Sequence, residues 1–75
     1  MKLKTENIMK TLDGHHRVII KCDIPGEKIK QVTITEGKGC YMVGTSPRCT
    51  LRQYSKNDVI DFLDENSMYI ETWKA

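Results

Sequence analysis

Apolar and polar residues alternate over much of the chain, and this pattern predicts β-strands. Residues 17–23 (RVIIKCD) are rich in β-branched side chains and are followed by the turn-forming pair at 25–26. Residues 30–36 and 39–45 alternate on either side of EGKG, which predicts a β-hairpin. We expect SPRCTLRQY to extend the sheet after Ser46-Pro47, and the alternating MYIETWK to form a last strand.

Two segments have helical periodicity instead. Residues 5–13 place Ile8, Met9 and Leu12 on one side, with Thr5 as the expected N-cap and Gly14 at the C-terminal end. Residues 56–66 place their apolar and acidic side chains on opposite sides, with Ser55 as N-cap and Asn66 at the end. The pattern therefore predicts two amphipathic helices.

The order α-β-β-β-(β)-α-β predicts an α+β fold in a single domain, residues 1–75. Its sheet is expected to be mostly antiparallel, with four or five strands, and to be covered on one face by the two helices. A chain of 75 residues buries only ~60% of the surface that its unfolded form exposes, so a deep active-site cleft is not expected.

Alternation also assigns side chains to the two faces of the sheet. The face under the helices is predicted to hold Val18, Ile20, Cys22, Val32, Ile34, Cys40, Met42, Cys49, Leu51, Met68 and Ile70. The opposite face is predicted to hold Arg17, Ile19, Lys21, Gln31, Thr33, Thr35, Tyr41, Val43, Thr50, Arg52, Tyr54, Tyr69, Glu71 and Trp73. The exposed face would thus be rich in aromatic rings and cations.

The composition limits the classes of protein to consider. The chain is 39% hydrophobic and 29% charged, which is ordinary for a folded domain, and it contains no apolar run long enough to span a membrane. Three cysteines are an odd number for a disulfide scaffold. We therefore expect a cytoplasmic protein that does not associate with membranes.

Candidate chemistry is sparse. The glycines lack the spacing of a phosphate-binding loop, the cysteines lack the spacing of a zinc site, and the adjacent His15 and His16 have no paired nucleophile. The three cysteines are expected to be unreactive core residues. The sequence therefore predicts a chain that is not an enzyme and has no metal site and no cofactor.

A binding surface is the remaining functional hypothesis. The net charge is +2, and residues 15–56 hold eight Lys and Arg against three Asp and Glu. Tryptophan, tyrosine and arginine dominate binding hot spots. The predicted partner surface consists of Arg17, Lys21, Tyr41, Arg52, Tyr54, Tyr69 and Trp73.

Two classes of partner fit this surface. A protein partner would make the chain a small regulator or inhibitor, whereas single-stranded nucleic acid would stack on the aromatic rings and pair with the cations. Self-association through the same face, giving a dimer, is a further possibility for so small a core. The modest positive charge favours a protein.

A secondary acidic surface is predicted on the second helix from Asp61, Asp64 and Glu65. Asp64 and Glu65 lie near the C-terminal end of that helix, where the helix dipole favours cations instead. This unfavourable placement suggests that the acidic residues dock a basic surface.

Overall fold

The computed structural model describes residues 2–47 and 49–75. In chain order the elements are α1 (Leu3–His15), β1 (Arg17–Ile24), β2 (Ile29–Glu36), β3 (Tyr41–Ser46), β4 (Leu51–Tyr54), α2 (Lys56–Glu65), a 3-10 turn (Ser67–Tyr69) and β5 (Ile70–Lys74). The five strands form one antiparallel sheet with the order β4-β3-β2-β1-β5. This architecture confirms the predicted α+β class.

Both helices pack on one side of the sheet, which we call the core face. Apolar residues of α1 and α2, among them Ile8, Leu12 and Leu63, are fully buried against β1 and β2 residues such as Ile20 and Ile34. After β4 at one edge of the sheet, the chain passes through α2 and returns as β5 at the other edge. The opposite side of the sheet carries no helix, and we call it the uncovered face.

The ends of α2 are formed as the sequence predicts. The Ser55 hydroxyl accepts a hydrogen bond from the backbone N–H of Asp58 at 3.2 Å, which satisfies one of the donors that every helix start leaves open. At the other end, the Asn66 side-chain amide donates to the carbonyl of Phe62 at 2.9 Å. Both predicted caps of this helix are therefore confirmed.

The ends of α1 differ from the prediction. The helix begins at Leu3, so Thr5 lies inside it as a fully buried residue and is not its N-cap. The helix continues through Gly14, and the left-handed residue that ends it is His16, with φ 62°. The His16 imidazole lies 3.2 Å from the Glu36 carboxylate at the end of β2, so a side-chain contact accompanies this backbone conformation.

The predicted faces are correct for β1 and β2 and wrong for β3 and β4. Residues directly opposite each other in an antiparallel pair share a face. Ile34, on the core face, lies opposite Val43, and Val43 lies opposite Arg52. Tyr41, Val43, Arg52 and Tyr54 are therefore on the core face.

Because the faces of β3 and β4 are the reverse of those predicted, the side chains expected in the core lie on the uncovered face. Met42 lies opposite Thr35, and Leu51 lies opposite Gly44, so both belong to the uncovered face. Cys22 is buried as predicted, but Cys40 is only half-buried and Cys49 is exposed. Met68 lies in the 3-10 turn and not in β5, and it is also exposed.

Candidate binding surfaces

The structure does not bring the seven predicted partner-surface residues to one face. Arg17 and Lys21 lie on the uncovered face, opposite Thr35 and Gln31. The other five fall elsewhere: Tyr41, Arg52 and Tyr54 follow the core face, Tyr69 lies in the 3-10 turn, and Trp73 lies opposite the buried Ile20. The prediction of one aromatic and cationic face is therefore wrong.

The aromatic rings instead extend the core at its margins. Tyr41, Tyr54, Tyr69 and Trp73 are partly buried and pack against the core cluster. Tyr54 meets Phe62 of α2 edge to face, with ring centroids 6.0 Å apart and an interplanar angle of 88°. Burial, followed by the Glu36 and Asp13 carboxylates, raises the pKa of the Tyr41 hydroxyl. These rings thus anchor the helices to the sheet.

Three cross-strand rows make up the centre of the uncovered face. The first row is Thr72, Lys21, Gln31 and Ser46; the second is Lys74, Ile19, Thr33, Gly44 and Leu51; the third is Arg17, Thr35, Met42 and Gln53. These rows contain three cations and no carboxylate, together with three apolar side chains. The surface is therefore positive over β1 and β5, around Ile19, and apolar over β3 and β4, at Met42 and Leu51.

The apolar part of this face is open to solvent. Leu51 is 70% exposed, and its Cδ1 atom would lie 3.7 Å from a Cβ added at Gly44. Since Gly44 has no side chain, Leu51 leans over the backbone of β3. Met42 on β3 and Ile19 on β1 are half-buried. A partner that covers these residues would remove apolar surface from water.

A hollow of about 650 Å³ lies on the uncovered face. Its lining includes Ile19, Lys21, Lys30, Gln31, Thr72, Trp73 and Lys74. Lys30 is paired with Asp23, with 2.5 Å between Nζ and Oδ1, and this hydrogen bond raises the pKa of Lys30. Within residues 2–47 and 49–75, Lys21 and Lys74 form no ion pair. Two of the three lysines are thus available to an anionic group.

A smaller hollow of about 200 Å³ lies on the other side of the sheet, near the turn 25–28 and the loop after β3. Ile29 and Val43 lie at its floor, and each is only 3% exposed. Its polar lining consists of Glu27, Thr45, Thr50, Arg52 and Tyr54. Two residues of the predicted partner surface, Arg52 and Tyr54, therefore belong to this separate site.

The acidic residues of α2 divide into two groups. Asp64 accepts hydrogen bonds from the Thr5 hydroxyl at 2.5 Å and from the backbone N–H of Lys2 at 3.1 Å. These two bonds, the first being the larger cause, hold the pKa of Asp64 below its usual value. Asp64 therefore lies at the positive N-terminal end of α1, which explains its place in the helix. Asp61 and Glu65 are exposed.

The three cysteines occupy three different environments. Burial, followed by the Asp23 and Glu71 carboxylates, raises the pKa of the Cys22 thiol. The Cys40 sulfur accepts a hydrogen bond from the Gln53 side chain at 3.0 Å, and Cys49 is exposed.

Over the described ranges, 2–47 and 49–75, no cluster of His, Cys, Asp and Glu is arranged to hold a metal ion.

None of the helices in the described part of the chain has the length and apolar character needed to cross a bilayer. No match to the chain was found among protein-family models, curated proteins or solved structures. Function is therefore inferred from the two surfaces alone.

Proposed function

We propose that this chain is a non-catalytic binding domain whose uncovered sheet face docks an acidic protein surface, as a small regulator or inhibitor would. The observation that carries the proposal is the composition of the three central rows, which contain no carboxylate. Arg17, Lys21 and Lys74 lie on β1 and β5, and the apolar Met42 and Leu51 lie on β3 and β4. A cationic area beside an apolar area complements a partner with carboxylates beside an apolar patch.

Protein fits this face better than single-stranded nucleic acid. Sequence-tolerant binding of single strands depends on aromatic rings on which the bases stack. The three rows contain no aromatic residue, and Tyr41 and Tyr54 belong to the core face. Trp73 lines the hollow beside the rows but is a single ring that also packs against the core. One ring does not stack successive bases, so nucleic acid is the second candidate and an outcome of the test below.

Self-association through this face is disfavoured. In a two-fold dimer the same surface meets its own copy. The rows of this surface contain three cations and no carboxylate, so a copy of the same surface offers no acidic group to pair with Lys21 or Lys74. The acidic partner is therefore a different molecule.

The test compares matched substitutions on the two sides of the molecule. Lys21→Glu and Leu51→Glu change the uncovered face, whereas Lys10→Glu and Leu3→Glu change α1; Leu3 is 73% exposed, close to the 70% of Leu51. The four variants and the wild type are used to capture proteins from a host-cell lysate, with and without nuclease. Any retained protein is purified, and its affinity is measured by calorimetry.

We expect one acidic protein to bind the wild type and both α1 variants regardless of nuclease. Each uncovered-face variant should weaken that binding by ~10-fold or more. Equal binding by all four variants would refute the proposal. Retention that nuclease abolishes, with affinity falling steeply with salt, would replace it with nucleic-acid binding.

A further inference from the structure

We propose that the smaller hollow on the core side binds a free aliphatic α-amino acid as its zwitterion. Arg52 receives the carboxylate, Glu27 receives the ammonium, and the side chain lies on Ile29 and Val43. This site is separate from the docking face of the proposed function, because its strand residues belong to the core face.

Arg52 is placed to receive a carboxylate. Its Cα lies opposite that of the buried Val43, so its aliphatic stem starts beside the apolar floor. Within residues 2–47 and 49–75, its guanidinium forms no ion pair. A guanidinium presents parallel N–H donors that match the two oxygens of a carboxylate.

Two threonine hydroxyls lie beside Arg52 in the same hollow. Thr45 and Thr50 are bonded to each other, with 2.5 Å between their Oγ1 atoms, and the N–H of Thr45 donates to the carbonyl of Thr50 at 3.0 Å. A hydroxyl has one donor and two acceptor sites. When Thr45 is the donor in this pair, the Thr50 O–H can donate to the carboxylate that Arg52 binds.

Glu27 supplies the opposite charge. It lies in the turn before β2 and lines the same hollow as Arg52. The described part of the chain contains no ion pair between Glu27 and Arg52, so their charged atoms are more than 4.0 Å apart. An α-amino acid carries an ammonium and a carboxylate on the same carbon atom, so it can pair with both Glu27 and Arg52. A simple anion would leave Glu27 unpaired.

The size and floor of the hollow select the ligand class. A volume of about 200 Å³ equals the space of ~7 water molecules. This is smaller than the ~300–1,000 Å³ of pockets for drug-sized ligands. Ile29 and Val43 line the floor, and the small part of each side chain that is exposed would contact an aliphatic group. An amino acid such as valine meets these requirements of charge, size and apolarity.

The experiment is an NMR titration of the full chain, labelled with ¹⁵N, with L-valine. Three matched probes each lack one feature: N-acetyl-L-valine lacks the ammonium, L-valine methyl ester lacks the carboxylate, and glycine lacks the aliphatic side chain. We expect saturable shifts of the amide signals of Glu27, Thr50 and Arg52 with valine, at a Kd of ~1 mM or below. Each blocked analogue should bind at least ~10-fold more weakly.

Variants identify the residues responsible, and their spectra also report whether each variant is folded. Arg52→Gln and Glu27→Gln should each weaken valine binding by at least ~10-fold, and Arg52→Lys should restore part of it. Arg17→Gln, on the uncovered face, should leave it unchanged. No saturable shift with valine, equal binding of N-acetyl-L-valine, or full binding by the folded Arg52→Gln variant would each overturn the proposal.

Discussion

The core face and the uncovered face are built from alternate residues of the same strands, but they differ in the burial and polarity of their side chains. On the core face, Val18, Ile34 and Val43 form one buried cross-strand row. The adjacent row on the uncovered face, formed by Arg17, Thr35 and Met42, is exposed or half-buried. A shift of one residue in strand register would exchange these environments.

Charge is also distributed differently on the two sides. On the uncovered face, Lys21 lies on the interior strand β1, between Gln31 and Thr72. On the core side, Arg52 lies at the margin, in the edge strand β4, beside the smaller hollow. The difference indicates that the uncovered face suits a broad partner, whereas the core side has room only for a small ligand.

The largest expected effect tests the register of β3 directly. Val43→Asp would put a carboxylate at a position that is 3% exposed, and burying an unpaired charge costs more than a small domain can lose. We expect the variant to be unfolded at 25 °C by circular dichroism. Its neighbour Met42, on the uncovered face, provides the control.

Met42→Asp should remain folded, with stability changed by less than ~1 kcal/mol in urea unfolding. The reverse result, with Met42→Asp unfolded and Val43→Asp folded, would show that β3 has the opposite register and that the uncovered face is not the surface described.

The sequence contains the information needed for this register. In an antiparallel hairpin, the two residue numbers of every directly opposed pair add up to the same total. The pair Glu36 and Tyr41 makes that total odd. Ile34 must then lie opposite an odd-numbered residue, which is Val43. Alternation within β3 alone cannot distinguish the faces, because Tyr41, Met42 and Val43 are all apolar enough for a core. The loop length combined with Ile34 decides between them.

The second prediction concerns the aromatic margin of the core face. Tyr54→Ala removes a half-buried ring that packs on Phe62, and we expect it to lower the free energy of unfolding by ~2 kcal/mol. A double-mutant cycle with Phe62→Leu should give a coupling of ~0.5–1.5 kcal/mol. Gln53→Ala, on the uncovered face, should change stability by less than ~0.5 kcal/mol.

A coupling near zero between Tyr54 and Phe62 would show that the ring of Tyr54 does not pack under α2. Tyr54 would then be available for the exposed aromatic surface that alternation predicts.

The composition of the candidate sites was harder to predict than the fold. β1, β2, both helices and the caps of α2 follow from local patterns that their own packing reinforces. The two hollows depend on which residues of separate strands become neighbours, such as Lys21 and Thr72. Arg52 and Lys21 are both cations in predicted strands, so residue type could not reveal that they lie on opposite faces.

The smallest expected effect compares a buried hydroxyl of the core side with an exposed one. Thr5 is fully buried and donates to Asp64, whereas Thr72 is exposed on the uncovered face. Thr5→Val should lower Tm by ~4–8 °C at pH 7, as expected for the loss of one buried hydrogen bond in a domain of this size. Thr72→Val, which removes a hydroxyl that faces water, should leave Tm nearly unchanged.

The same two variants should also differ in how the Asp64 carboxyl titrates at low pH. Because the folded pKa of Asp64 is depressed below 3.8, its stabilising effect is complete above that value and is lost as pH falls through the folded pKa. The Thr5 hydroxyl is the largest cause of this depression, so in Thr5→Val the Asp64 carboxyl should titrate closer to 3.8. Carboxyl ¹³C shifts followed from pH 6 to pH 2 measure this change. An unchanged titration in Thr5→Val would mean that Asp64 does not join the two helices, and would leave it free to act with Asp61 and Glu65 as an acidic docking surface.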